Sequence, residues 1–264
     1  MKNDNLLPDQ QRQNMKKPLP VIDTHAHLDE LADAGASIEE ARAAGVIGIV
    51  AVGQDIDSNR KTLALASQYP GFVYPAIGYH PWRLGTGPHE ETLAYIEANL
   101  NDCVALGEVG LDYKAKTKKK MQKAVFHDLL ALAKRHDRPV IVHCRYVHES
   151  AYEMVHEAGI EKAIFHWYSG ALDLIPRIAA AGYYMSATPA LLYNPYHAKA
   201  IRAVPLSHLL LETDAPVEYQ NLHARPVHVQ VTLQEVARVK EVSIEEVAAQ
   251  TTENARVCFG LENS

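Results

Sequence analysis

A TIM-type (β/α)8 barrel is the α/β architecture this chain predicts, and three observations carry it. From Leu19 onward, short apolar or β-branched runs alternate with helical patterns about eight times. The runs are continuous, as in Val46-Ile47-Gly48-Ile49-Val50-Ala51-Val52, which is how strands buried on both faces of a parallel sheet read. A length of 264 residues, 47% hydrophobic and 22% charged, is enough for one large core of barrel size. A closed barrel is therefore expected over an open doubly wound sheet.

Residues 1–18 come first and are expected as a disordered leader, because they are rich in Asn and Gln and lack apolar periodicity. Met15, just before Lys16-Lys17-Pro18, offers an internal start, which the intact mass of the native protein would decide. Residues 19–264 are expected as a single barrel domain, with strands at 21–24, 46–52, 72–77, 104–107, 140–142, 163–165, 183–186 and 209–211. Helix starts are signalled by Ser37 followed by Glu40, by Asp57, and by Ser243-Ile244-Glu245-Glu246, which has the form of a capping box.

A net charge of -6 gives no global attraction for nucleic acid or membrane, so a polyanion would have to be recognised locally. The sequence has neither the long apolar run of a membrane-spanning helix nor the apolar core of a secretory signal. Cys103, Cys144 and Cys258 are too few and too scattered for a disulfide framework. They read as buried small hydrophobes of a cytoplasmic protein.

Chemistry in such barrels collects at the C-terminal ends of the strands. His25 and His27 end the first expected strand, His80 follows the third, Glu108 ends the fourth, His143 the fifth, His166 the sixth and Asp214 the eighth. Residues i and i+2 of a strand share a face, so His25 and His27 can hold one cation together. Glu108, at the end of an apolar strand, needs a compensating charge, either a bridged pair of cations or a salt bridge to Arg or Lys. His143 and His166 would lie side by side on adjacent strands as a pair for a second cation, although each alone would read as an interior histidine. Asp214 can bind the first cation and accept a proton from water, or else cap a helix. The expected sites are therefore His25, His27, Glu108 and Asp214 for one ion, and Glu108, His143 and His166 for the other. Asp23 shares the face of His25, and its role stays open between a strand-start acid and a partner that orients a ligand.

The motifs Asp23-Thr24-His25-Ala26-His27-Leu28-Asp29, Gly78-Tyr79-His80-Pro81, Gly107-Glu108-Val109-Gly110-Leu111-Asp112-Tyr113, His166-Trp167-Tyr168-Ser169-Gly170 and Glu212-Thr213-Asp214-Ala215-Pro216 resemble those of TatD-type metal-dependent deoxyribonucleases. The resemblance runs from about Val21 to Leu261. It implies a TIM-barrel hydrolase of the amidohydrolase superfamily that cleaves phosphodiester bonds in DNA with divalent cations. It also implies that His25, His27, Glu108, His143, His166 and Asp214 are metal ligands, and that His80 faces substrate, where it could donate to a phosphate oxygen or the leaving group. The chain departs from the pattern after Asp214, where Val217-Glu218-Tyr219-Gln220 precedes Ala224-Arg225-Pro226, which puts phosphate contacts from that loop in doubt. Trp82 and Trp167-Tyr168 depart as well, as base-stacking aromatics or as rim packing.

Lys114, Lys116, Lys118, Lys119, Lys120 and Lys123 form the dense basic run, either steering a phosphate backbone or simply a solvated helix start. Glu108, Asp214 and His80 are thus the expected catalytic groups, two divalent ions (Zn²⁺, Mg²⁺ or Mn²⁺) the expected cofactors, DNA the expected partner, and a monomer the expected state. The same donor set would also hydrolyse another ester or amide, such as an aminoacyl-tRNA linkage, and a non-catalytic nucleic-acid-binding barrel is the third reading.

Overall fold

The computed structural model describes residues 18–85 and 87–261. The leader expected over residues 1–18, with the start at Met15, lies outside them except for Pro18. Eight parallel strands follow one another around the sheet in chain order: β1 (Val21–Ala26), β2 (Val46–Val52), β3 (Val73–Ile77), β4 (Ala105–Asp112), β5 (Val140–Arg145), β6 (Ala163–Phe165), β7 (Tyr184–Ala187) and β8 (Leu209–Leu211). The seam between β8 and β1 is closed at the C-terminal ends of the strands and in the segment after β8. There the His27 N–H donates to the Ala215 carbonyl (2.7 Å), the Asp214 N–H to the His25 carbonyl (2.9 Å), and the Thr24 hydroxyl to the Leu211 carbonyl (2.9 Å).

The register shifts between Val21 and Ile22 and between Asp23 and Ala26 on β1, and between Leu106 and Val109 on β4. Such irregularities re-aim side chains. The second and third fall on the stretches that carry His25 and Glu108. Two glycines let the backbone close in around Glu108. A Cβ on Gly78 would lie 2.5 Å from the Glu108 carbonyl oxygen, and one on Gly110, whose φ is +143°, would strike the His143 carbonyl.

Nine α-helices are found among the described residues, and those that matter most here are α1 (Ala34–Ala43), α2 (Ile56–Gln68), α4 (Lys119–His136), α5 (His148–Glu157), α7 (Pro195–Ala203) and α9 (Ile244–Phe259). The start of α1 corrects the sequence expectation. Its cap is Asp33, which accepts the Ala36 N–H, while the Ser37 hydroxyl donates back to the Asp33 carbonyl. Likewise α2 is capped by Asp55 and Ser58 in a reciprocal box, not by Asp57. Ser243 caps α9 as expected.

Ala255, Cys258 and Phe259 of α9 pack in one apolar cluster with Ile22, Ala105, Ile141, Ile164 and Leu210, near the beginnings of the strands. The Asn254 amide fastens this helix to the barrel by donating to the carbonyls of both Leu206 and Leu209 (2.8 Å each). No helix among the described residues is long and apolar enough to cross a membrane. All three cysteines are buried and unbridged, and burial pushes the Cys103 thiol up to about 12.

Candidate metal centre

At the C-terminal rim the strand ends converge on Glu108, a carboxylate only 2% exposed. Its two oxygens face different neighbours. Oε2 lies 3.5 Å from His25 Nε2 and 3.4 Å from His27 Nε2, and these two nitrogens lie 3.6 and 3.4 Å from Asp214 Oδ1 and 3.2 Å from each other. Oε1 lies 2.7 Å from His143 Nδ1, 2.8 Å from His166 Nε2 and 3.4 Å from His80 Nε2. All seven residues named from the sequence are thus brought together, His80 included. Among the described residues the ion-pair partners of Glu108 are histidines, and no Arg or Lys pairs with it.

Hydrogen-bond partners determine where the ring protons sit. A carbonyl oxygen can only accept, so His27 Nδ1, 2.8 Å from the Val52 carbonyl, carries its hydrogen and leaves the Nε2 lone pair aimed at Glu108 and Asp214. Asp112 Oδ2, 3.3 Å from His143 Nε2, makes that nitrogen the donor and turns the His143 Nδ1 lone pair toward Glu108. Glu212 Oε1 faces His166 Nδ1 at 3.5 Å, an ion-pair distance without a hydrogen bond, while His166 Nε2 is turned toward Glu108 Oε1. Lone pairs and carboxylate oxygens this close repel one another unless a proton or a cation sits among them.

A divalent ion fits the gap. Tetrahedral ligands ~2.0–2.1 Å from an ion lie about 3.4 Å apart, and the contacts among His25, His27, Asp214 and Glu108 Oε2 run from 3.2 to 3.6 Å. Three groups of side chains have ligand atoms close enough to hold an ion: His25 with His27 and Asp214, His80 with Glu108 and His143, and His25 with His166 and Glu212. In this centre His25 Nδ1, His166 Nδ1 and Glu212 Oε2 are buried without hydrogen-bond partners among the described residues.

The electrostatics point the same way. Burial pulls the His27 imidazole down, but Asp214 and Glu108 outweigh it and hold its pKa well above the ordinary value. Burial likewise raises the Glu108 carboxyl, yet the surrounding His80, His166 and His143 keep it well below the carboxylate range. Asp214 is held low by His27, His25 and His166 against the same burial. His80 is the exception. Burial takes it down to about 4, its Nδ1 accepts the Trp82 N–H at 3.1 Å, and the neutral ring therefore carries its hydrogen on Nε2, facing Glu108 Oε1.

Asp23 does not orient a ligand ring. Its carboxylate accepts the Thr213 N–H (2.9 Å) and hydroxyl (2.6 Å), tying the first strand to the segment that carries Asp214. Asp214 is not a helix cap either, for its backbone lies in the left-handed region at φ 50° and its Oδ1 points at the two histidines. Arg225 pairs with Glu40 at 2.9 Å and starts the turn at Pro226–His228. Tyr168 is fully buried and cannot stack on a base, and Trp167 packs on Tyr219.

Sequence reasoning missed several residues. Asp112 joins His143 to the Trp82 indole N–H, which donates to Asp112 Oδ2 at 2.6 Å. Glu212 takes the Trp167 N–H at 2.8 Å besides facing His166. Gln54 sets its amide 3.2 Å from His27 Nε2. Asp112 and Glu212 stood inside quoted motifs at strand ends, the one signal available. Above the centre opens a cavity of about 940 Å³ whose walls include Trp82, Arg145, Tyr146, His148 and Trp167.

Imidazoles and carboxylates gathered at the C-terminal rim of a (β/α)8 barrel define the class: a metal-dependent hydrolase. The family described as TatD related DNase matches residues 22–260, and the chain belongs to that family, whose members are hydrolytic enzymes acting on ester bonds. Deoxyribonuclease TATDN3 of Homo sapiens is 30% identical over 90% of this chain and 94% of its own length. The uncharacterized metal-dependent hydrolase YabD of Bacillus subtilis is 34% identical over 91% and 99%. The crystal structure of YJJV, a TatD homologue from Escherichia coli, is 28% identical and covers 92% of this chain and 98% of its own, with a TM-score of 0.85.

Proposed function

We propose that this chain is a deoxyribonuclease that hydrolyses phosphodiester bonds of DNA with two divalent cations, Zn²⁺, Mg²⁺ or Mn²⁺. The observation that carries the reading is the division of Glu108 between Oε2 toward His25, His27 and Asp214 and Oε1 toward His143 and His166. In it, His25, His27, Glu108 and Asp214 hold one ion, and Glu108, His143 and His166 the other. Bound there, the ions would polarise the phosphoryl group and lower the pKa of water toward neutrality.

The chain's own groups do the rest. Asp214, kept ionised by its imidazole neighbours, accepts a proton from the attacking water. His80, neutral with hydrogen on Nε2, donates a hydrogen bond to a phosphate oxygen or the leaving oxygen. Relatives named deoxyribonuclease support DNA as the substrate. The six lysines from Lys114 to Lys123 support it locally, since none has a carboxylate partner among the described residues. A single barrel domain acting as a monomer in the cytoplasm completes the reading, with the unbridged cysteines fitting a reducing compartment.

The test is a ladder assay on 5′- and 3′-labelled oligonucleotides across added Zn²⁺, Mg²⁺ and Mn²⁺, beside an aryl phosphodiester and an aminoacyl ester. Shortening of the DNA strands is expected. Hydrolysis of the aminoacyl ester with no DNA product under any metal would overturn the assignment.

A further inference from the structure

The cavity wall beside His143 carries a feature the reaction itself does not use. Arg145 lies two residues beyond His143, at the end of β5, and has no carboxylate partner among the described residues. Arg83, on the same cavity, is occupied by Glu30 at 3.6 Å and Asp55 at 3.4 Å. Next to Arg145 stands Tyr146, a residue 65% exposed at the mouth on a backbone with φ 61°, a conformation a non-glycine residue seldom adopts. Lys114 Nζ and Arg145 Cζ lie over the Tyr146 ring at 5.2 and 5.8 Å, near the outer reach of a cation–π contact.

Two unneutralised cations resting loosely on an exposed aromatic match the two halves of a nucleotide. A phosphate is a stronger partner for a guanidinium than a ring face is. Once the cations turn to it, the tyrosine ring is uncovered for an unpaired base, and such stacking tolerates any base identity. Because Arg145 follows His143 so closely, this nucleotide neighbours the one whose phosphate is cut.

We infer that Tyr146, Arg145 and Lys114 form a subsite for the nucleotide adjoining the scissile phosphate, with its base on the Tyr146 ring and its phosphate on Arg145 and Lys114. The inference rests on the proposed DNase reading. A pocket at the barrel mouth admits a strand terminus most easily, so the subsite makes this enzyme sensitive to the second nucleotide of a strand end as well as to the bond it breaks.

The experiment compares the metal-loaded full chain on two labelled oligodeoxynucleotides, one intact and one with abasic residues second from each end. Wild type should cut the intact strand with a kcat/KM about tenfold higher, the difference lying in KM. Tyr146→Ala should abolish that preference and Tyr146→Phe keep it, with thermal melting showing that both variants are folded. Arg145→Gln should raise KM for both strands by about tenfold and flatten the salt dependence of KM. Equal rates of wild type on the two strands, or a preference surviving in Tyr146→Ala, would overturn the subsite while leaving the nuclease intact. Hydrolysis of an aminoacyl ester with neither strand cut would overturn the nuclease reading, and the subsite with it.

Discussion

The two sides of Glu108 are built differently. On the inner side His25 is fully buried and His27 nearly so, and the ring of His27 is aimed by a backbone carbonyl, that of Val52. On the outer side His143 is aimed by Asp112, whose Oδ2 also takes the indole N–H of Trp82, a residue 51% exposed at the cavity mouth. A main-chain anchor moves only if the barrel moves, whereas a side-chain anchor tethered to an exposed tryptophan can shift with whatever touches that tryptophan. In the proposed two-cation reading the inner position would therefore be part of the scaffold, and the outer one adjustable.

The largest break in this comparison comes from the residue both sides share. Glu108→Gln should reduce turnover to background and weaken both cations; metal content after dialysis and steady-state rates check it, and full activity would remove the bridging role. Asp112→Asn should act on one side only, lowering affinity for the outer cation by about 10–100-fold while the inner is retained. Stepwise metal titration by calorimetry distinguishes this from equal weakening of both.

The acid sensitivity of the scaffold can be separated from that of the centre through His197 on α7. Its Nδ1 donates to the Tyr168 carbonyl at 2.9 Å and its Nε2 accepts the Thr188 N–H at 3.2 Å, so the neutral ring is held on both nitrogens, and burial takes its pKa down to about 4. A depressed folded pKa gives stability that is complete above the unfolded value near 6.5 and lost as pH falls from there toward 4. Between pH 7 and 5 this group alone should remove about 2 kcal/mol. Urea unfolding at the two pH values should show a loss about 2 kcal/mol smaller in His197→Gln than in wild type, the remainder coming from other buried neutral imidazoles such as His80; an equal loss in both would place the sensitivity elsewhere. The smallest effect is expected from Trp82→Phe, which keeps the ring but deletes the hydrogen bond to Asp112. A weakening of the outer cation by about five- to tenfold is expected, again by calorimetry, and no change would detach the tryptophan from the tether.

The barrel was legible because strands buried on both faces leave continuous apolar runs, and the candidate ligands because each stands where such a run stops. Strand ends were less legible. β4 continues from Gly107, where it was expected to stop, to Asp112, because pairing with β5 across Gly110 and His143 overrides the local turn character of the glycines. The aiming residues were hidden for a related reason. Asp112 meets His143 across 31 positions and Glu212 meets His166 across 46, so only strand register reveals what they hold. Tyr146 carried no signal beyond following a strand. For Ser37 and Asp33, two capping residues competed within one turn, and spacing alone does not choose between them.

The seam where the last strand meets the first has a consequence for synthesis. Asp23 waits for Thr213, the His25 carbonyl for the Asp214 amide, and the Leu209 carbonyl for Asn254 of α9. A ribosome making this polypeptide therefore delivers His25 and His27 almost two hundred residues before Asp214, the later of the two acids that face them. The growing chain cannot assemble the complete inner position until Asp214 has emerged, and the ring is joined only then.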